Sequence, residues 1–170
     1  MAIIVVRDGI ETEVDDKYVN YLSSFTWYPV EDGSGKIYIN LYIKFERKDR
    51  PLLHRVVMGL SLDRVIPRHE WVDHIDGNSL KNVENNLRIC TPSQNSQNRG
   101  KSPNNPTGYK GVDRLKSGKY RAQITTDWLY KYLGTHNTAE DAARAYDDAA
   151  RKYHKEFAVL NFPDEPFEKS

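Results

Sequence analysis

Apolar residues recur along this chain in short runs divided by polar, turn-forming segments. Ile3 to Val6 reads as a strand. Val14, Tyr18, Val19 and Leu22 fall at helical spacing and predict one or two turns of helix. Phe25–Tyr28 and Ile37–Ile43 read as strands joined through Glu31-Asp32-Gly33-Ser34-Gly35, a turn by composition. Trp27 reads as a core residue. Leu53, Val56, Val57 and Leu60 share one face of a helix over Leu52–Leu60, with Gly59 near its end.

The next stretch changes character. Trp71-Val72-Asp73-His74 is a short run ending in an Asp-His pair, and a loop rich in Asn, Asp and Gly follows. A second run, Leu87 to Cys90, leads into Thr91-x-x-Gln94, which reads as a capping box with Pro92 at the first helical position. The prediction is strand, loop, strand, helix. Asn98 to Gly108 is built from turn and linker residues and is the best domain boundary in the chain.

Beyond it, Tyr109–Asp113, Lys119–Thr125 and Leu129–Leu133 predict three short strands. Thr138-x-x-Asp141 then caps a helix. Ala142, Tyr146, Ala149, Ala150 and Tyr153 form its apolar face. Asp147, Asp148, Arg151, Lys152 and Lys155 form the other. Ala158–Pro163 closes the module, and an acidic tail, Asp164 to Ser170, is expected to fray.

Length and composition narrow the classes. The 170 residues suit one domain or two small ones, and 38% apolar content suits two modest cores. The single cysteine, Cys90, excludes a disulfide framework and a Cys-based zinc site. No apolar run approaches a membrane helix or signal peptide, so a soluble protein of a reducing compartment is expected. Net charge is +1, but residues 101–132 carry seven Lys and Arg against two Asp and Glu. That window is either a polyanion-facing surface or an ordinary solvated face. The same two readings hold for Lys44, Arg47, Lys48, Arg50 and Arg55.

Phosphodiester hydrolysis needs an activated water, charge neutralisation on the phosphate and a stabilised leaving oxygen. One hard divalent cation can supply the last two, and it wants oxygen ligands. Asp73 offers a carboxylate and Asn95, one turn into the capped helix, an amide oxygen. His74 adjoins Asp73 and points to the opposite side of the strand, as suits a general base that does not also bind metal. Asn86 sits where it can tie the loop down. From residue types alone, a catalytic frame and an ordinary Asn-rich turn both remain open.

Leu53-His54-Arg55-Val56-Val57-Met58, Val72-Asp73-His74-Ile75-Asp76-Gly77-Asn78, Asn85-Asn86-Leu87-Arg88-Ile89-Cys90-Thr91 and Gln94-Asn95 together resemble the HNH endonuclease family, in particular its phage and intron-encoded homing enzymes. The resemblance implies a ββα-metal motif over about residues 70–98 that binds one divalent ion and cuts or nicks DNA. It implies Asp73 and Asn95 as metal ligands, His74 as general base and Asn86 as the brace of the loop. Many family members carry His-x-x-x-His on the helix, where this chain has Thr91 and Asn95. That favours Mg2+ or Mn2+ over zinc. His54 is given a structural role, and Asp76 and Asn78 are read as turn residues.

Tyr109-Lys110-Gly111-Val112, Gly118-Lys119-Tyr120-Arg121-Ala122-Gln123-Ile124, Tyr132-Leu133-Gly134-Thr135, Thr138 to Asp147 and Leu160-Asn161-Phe162-Pro163 resemble an AP2 DNA-binding domain. That family lays a three-stranded antiparallel sheet in the major groove with one helix packed behind it. Lys110, Arg114, Lys116, Lys119, Arg121, Gln123, Thr125, Lys131 and Tyr132 are the DNA-facing positions implied, and Arg55, Arg99 and Lys101 are added as phosphate contacts. Asp113, Leu115 and Ser117 stand where plant members carry Arg or Trp, so the base-reading code does not transfer.

The expectation is therefore an α+β chain with an HNH domain over residues 1–98, a linker over 99–107 and an AP2-like domain over 108–163. Its expected function is metal-dependent, homing-type cleavage of double-stranded DNA at a specific site, by nicking or by cutting both strands. The rival is a non-catalytic, sequence-specific DNA-binding regulator. The chain is expected to act on DNA and on no membrane or small-molecule substrate, as a monomer with a dimer left open, in the cytoplasm of a bacterial or phage-infected cell.

Overall fold

The computed structural model describes residues 1–42, 50–102 and 104–165. Ile43, at the end of an expected strand, Lys44, Arg47 and Lys48 of the basic cluster, and residues 166–170 of the tail lie outside the described residues. The fold is mixed α+β, built from several small sheets and short helices. By compactness the chain divides into two units, Met1–Thr91 and Pro92–Ser170.

In the first unit, β1 (Ala2–Val5) and β2 (Glu11–Val14) form an antiparallel hairpin. The helix expected from Val14 is shorter than its pattern suggests. Thr12 and Val14 alternate inward from β2, and a single α-helical turn, α1 (Val19–Leu22), follows a 3-10 turn at Asp16–Tyr18. The period-two alternation claims Val14 for the sheet. β3 (Trp27–Glu31) and β4 (Ile37–Leu41) pair antiparallel, and Asp32 Oδ1 closes their turn by accepting from Ser34 N at 2.8 Å. α2 (Leu53–Ser61) buries Leu53, His54, Val57 and Met58.

β5 (Trp71–His74) pairs antiparallel with β7 (Leu87–Cys90), with Asp73 opposite Arg88 and His74 opposite Leu87. Within their connection, β6 (Lys81–Asn82) runs parallel to β2. The long loop is therefore stitched to the N-terminal hairpin. Val14, Leu22, Trp27, Ile39, Leu53, Val57 and Leu87 form one core cluster beneath it. Each such side chain contributes about 1.5–3 kcal/mol on burial. Trp27 is 4% exposed, and its indole N–H donates to Leu22 O at 2.8 Å.

The second unit opens with α3 (Pro92–Gln97), which packs against β9 (Tyr120–Thr126) and the 3-10 turn Lys155–Phe157. Together with β8 (Val112–Arg114) and β10 (Leu129–His136), β9 makes an antiparallel sheet in the order β10-β9-β8. β8 starts later than the pattern predicts, because Gly108 and Gly111 take positive φ, 75° at each. A Cβ on Gly111 would stand 2.0 Å from the Tyr146 ring, so no larger residue fits there. α4 (Ala139–Tyr153) lies on one sheet face and meets Ala122 and Ile124 with Ala142, Ala143, Tyr146, Ala149 and Ala150.

Thr138 caps α4 by accepting from Asp141 N at 3.1 Å, and its hydroxyl donates to Asp141 Oδ2 at 2.6 Å. Two helix positions depart from the expected faces. Asp147 is buried, 1% exposed, and its carboxylate accepts from Asn161 N, Asn161 Nδ2 and Phe162 N at 2.8–3.0 Å. Tyr153 stays partly exposed while His154 goes inside. The expected frayed tail is tied at its start, where Arg144 grips the Glu165 carboxylate.

Candidate functional site

Strand pairing places Asp73, His74 and the start of β7 together in the first unit. Asp73 and His74 are buried at the end of β5, 7% and 5% exposed. Arg88, directly across the hairpin, donates from Nε and Nη2 to Asp73 Oδ2 at 3.0 and 2.9 Å. Among the described residues Asp73 Oδ1 accepts no hydrogen bond. Asn86 binds the loop at two points: its Oδ1 accepts from Asp76 N at 3.1 Å, and its Nδ2 donates to Asp76 Oδ1 and Lys81 O at 2.9 and 3.0 Å. Asp76 and Asn78 make successive turns, Asn78 N donating to Asp76 Oδ1 and Leu80 N to Asn78 Oδ1.

The His74 ring has a partner that sequence reading missed. Asn82 Oδ1 lies 3.1 Å from His74 Nε2. The amide orientation is fixed on the other side, where Nδ2 donates to Thr12 Oγ1 at 2.8 Å and to Ser79 O at 3.3 Å. Thr12 Oγ1 spends its own proton on Leu80 O at 2.8 Å. An amide oxygen only accepts, so Nε2 carries the proton and the lone pair of neutral His74 sits on Nδ1. Asn82 and Thr12 are each 1% exposed.

Behind His74 lie two more rings, His54 at 5.1 Å between centroids and Tyr38 at 6.4 Å. Burial pushes the His54 imidazole down to about 3, with His74 and Arg55 adding to the effect. Burial also lowers His74, against the opposing hydrogen bond it donates to Asn82 and the charges of Asp73 and Asp76. Both rings are shifted toward the neutral form. Cys90 is buried and free, and burial pushes its thiol up to about 11, so it is no nucleophile at neutral pH. Among the described residues no group of three or more His, Cys, Asp or Glu side chains is placed to hold a metal ion.

Asn95 lies on α3 in the second unit, half-buried. Of the expected DNA contacts, Arg121, Gln123, Thr125 and Tyr132 share the sheet face away from α4, since Gln123 and Tyr132 are cross-strand partners and the intervening Ala122, Ile124 and Thr126 are buried. Asp113 Oδ2 accepts from both Arg121 Nη2 and Gln123 Nε2, at 2.6 and 2.7 Å. Lys116 and Lys119 are exposed in the β8–β9 turn, and Arg99 is exposed in the segment after α3. Arg114 is exposed at the end of β8, in register with the helix-facing positions.

Three expected contacts sit elsewhere. Lys131 is on the α4 side, its ammonium 5.1 Å from the Tyr153 ring centre. Lys110 is half-buried and donates to Gln97 O at 2.6 Å. Arg55 spends its guanidinium on three carbonyls, those of Glu70, Ile66 and Pro67, at 2.7–2.9 Å. Lys101 is exposed and reaches Gly108 O at 2.9 Å.

No protein-family model matches the chain. It is 34% identical over 145 residues to an uncharacterized HNH endonuclease of Acanthamoeba polyphaga mimivirus, covering 85% of this chain and 67% of that protein. It is 32% identical over 94 residues to Protein 3.8 of Escherichia phage T7, covering 55% of this chain and 77% of the phage protein. A third likeness is to the ethylene-responsive transcription factor RAP2-11 of Arabidopsis thaliana, 48% over 62 residues, 35% of this chain and 24% of the plant protein. Other plant factors, one named for its AP2/ERF domain, match about a third of the chain. The chain belongs to the HNH endonuclease family, and part of it is related to AP2/ERF transcription factors. Among the described residues no helix is long and apolar enough to cross a membrane.

Proposed function

We propose that the chain is a metal-dependent DNA endonuclease whose β5–β7 hairpin and α3 form a ββα-metal motif, and whose residues 108–163, within the second unit, are an AP2-like module that fixes the cut site. The functional limits we assign are 1–98 for the nuclease, 99–107 for the linker and 108–163 for the DNA-binding module. The observation that carries the reading is the buried Asp73-His74 pair with its two separate supports, Arg88 on the carboxylate and Asn82 on the ring.

In this reading His74 takes the proton of the attacking water on Nδ1, because Nε2 is already committed to Asn82. The water oxygen forms the new bond to phosphorus as the bond to the leaving 3′ oxygen breaks. Asp73 is the carboxylate ligand of a divalent cation, with Oδ1 open and Oδ2 held by Arg88. Asn95 belongs to the second unit, and its part as amide ligand rests on the sequence resemblance. One carboxylate and one amide, with no thiolate and no pair of imidazoles, suit a hard ion such as Mg2+ or Mn2+. Bound there, such an ion supplies charge neutralisation on the phosphate and on the leaving oxygen. Asn86 keeps the loop in shape through Asp76 and Lys81. The sheet face bearing Arg121, Gln123, Thr125 and Tyr132 meets double-stranded DNA, with Lys116, Lys119, Arg99 and Lys101 at its phosphates.

The likeness to plant transcription factors supports a second reading, a DNA-binding regulator that does not cut. A plasmid library with random inserts, incubated with the chain in Mg2+, Mn2+ or EDTA and mapped strand by strand, separates the two. Metal-dependent breaks at a recurrent site, lost in His74→Ala, support the endonuclease. Binding without breaks in either metal overturns it, and full cleavage by His74→Ala overturns the assigned base.

A further inference from the structure

β1 is an edge strand. Among the described residues it pairs with β2 on one side and with no strand on the other. The hydrogen-bonding phase of the hairpin tells which groups face that free edge. Val6 N donates to Ile10 O at 2.9 Å, and antiparallel ladders alternate bonded and non-bonded pairs. In the register of β1 and β2 the bonded pairs are then Ile4–Thr12 and Ala2–Val14, so the N–H and C=O of Ile3 and Val5 point outward. Glu13, opposite Ile3, agrees with this phase: its N–H turns away from β1 and donates to Leu80 O at 2.9 Å.

The strand lacks the usual protection of an edge. Natural edges are blunted by charge, proline or a bulge. Ala2-Ile3-Ile4-Val5 has no charge and no proline, and its register to β2 is unbroken. Ile3 and Val5 are 55% and 63% exposed, whereas Ile4 packs on the core cluster. Apolar side chains beside outward amides are what a further strand covers.

The edge is complementary to itself. Let a second β1 run antiparallel to the first, with Ile4 facing Ile4 on a two-fold axis. Ile3 of each copy then stands opposite Val5 of the other, and these residues can exchange N–H···O=C bonds because both point theirs outward. Their side chains meet on one face of the joined sheet. The ends match in charge: Arg7, exposed, falls opposite Met1 of the other copy, where Asp16 lies with its carboxylate 2.8 Å from Met1 N. Glu13 and Glu11 flank Ile3 and Val5 on the same face. In the pair these acids sit on the outer strands, about 14 Å apart across three strand spacings, beyond the reach of strong repulsion.

We propose that β1 is a self-association edge, on which a second copy of this chain adds its own β1 and joins the two sheets into one. The contact is isologous and closes at two copies. Four residues a side bury less than about 1,200 Å² in total, so the dimer is weak and depends on concentration. The pair carries two candidate nuclease sites, the number that cutting both strands of a duplex calls for. That consequence rests on the proposed function, whereas the dimer does not.

Sedimentation equilibrium of the full chain, without DNA or metal and up to about 1 mM, tests the edge directly. The wild type is expected to pass from one copy toward two. Ile3→Lys with Val5→Lys sets like charges against each other, and should weaken that association at least about tenfold with an unchanged thermal midpoint, both sites being exposed. A wild type that stays single at every concentration, or grows beyond two, overturns the proposal, as does a dimer that persists in the lysine variant. Slow amide exchange at Ile3 and Val5 in a single copy means that the chain covers its own edge, and overturns it too. Should the variant unfold, disulfide trapping decides. Ile3→Cys mixed with Val5→Cys should cross-link on mild oxidation more than either alone, the native Cys90 being buried. Equal or absent cross-linking in all three samples overturns the register and the edge with it. Metal-dependent cleavage by a chain that never pairs leaves the endonuclease reading standing.

Discussion

Asn82 holds the His74 ring by its amide oxygen, with Oδ1 3.1 Å from Nε2, and Thr12 holds Asn82 in turn. The pair fixes which nitrogen of neutral His74 carries the lone pair, and so which one would act in the proposed role of base. Asn82→Leu removes the acceptor and frees the tautomer, and we expect kcat to fall about 10- to 100-fold with little change in KM. Asn82→Asp sets a carboxylate against Nε2 and favours the imidazolium. Wild-type His74 is held below its ordinary value by burial, so the acid limb of the proposed enzyme's pH–rate profile is expected below that of an ordinary imidazole. In Asn82→Asp that limb moves to higher pH. A limb that stays put in Asn82→Asp removes Asn82 from this role.

His54 makes stability depend on acid. Folded, its imidazole stays neutral down to about 3, whereas in the unfolded chain it takes a proton near 6.5. Between those values the unfolded state binds more protons, so the contribution is complete above about 6.5 and drains away as pH falls. His74 and His154 are lowered as well and add to the same slope. The thermal midpoint of the wild type should therefore drop from pH 7 to pH 4, and that of His54→Phe should drop less. Parallel curves for the two proteins count against His54 as a source.

Asp113 accepts from Arg121 and Gln123 on one carboxylate oxygen, which neutralises one cation on the candidate DNA face. Asp113→Asn keeps the shape and releases that charge. The slope of log binding constant against log salt should steepen by about 0.9, the value for one added phosphate contact. Arg121→Ala should weaken binding at low salt and leave the slope near its wild-type value, because Asp113 already offsets that charge. A slope unchanged in Asp113→Asn would place the sheet face away from phosphate.

Much of this was legible in the sequence, and the reasons are local. Strand alternation and the Thr138 cap announced β9 and α4, and the two runs around the Asn-rich loop announced β5 and β7. The supports of the candidate site were hidden because they depend on pairing between distant segments. Thr12 meets Asn82 only because β2 and β6 run side by side, and two residues of β6 give no periodic signal. Arg88 faces Asp73 only once the hairpin register is known. The basic residues show a related limit: charge marks a residue as able to meet phosphate, and only the fold shows that Arg55 and Lys110 also bond backbone carbonyls of their own unit.

Asp147 gives the sharpest test of buried polarity in the second unit. Its spacing on α4 suggested solvent, but it lies inside and accepts three N–H bonds from Asn161 and Phe162. Those bonds fasten the closing segment to α4, and Asn161 in turn bonds Lys110 N at 2.7 Å and Lys110 O at 3.1 Å. Removing the carboxylate strands the donors, and a hydrogen bond to a charged group contributes about 1.5–3 kcal/mol. Asp147→Ala should therefore destabilise the second unit by about 3 kcal/mol or more, read as a lower urea midpoint by circular dichroism. Asp147→Asn keeps an acceptor oxygen but aims its own N–H2 at donors, so it should recover only part of that loss. Equal stability of Asp147→Ala and wild type would mean that the Asp147 bonds are dispensable and that the closing segment is held by its other contacts, among them Asn161 on Lys110 and Phe162 on Tyr109.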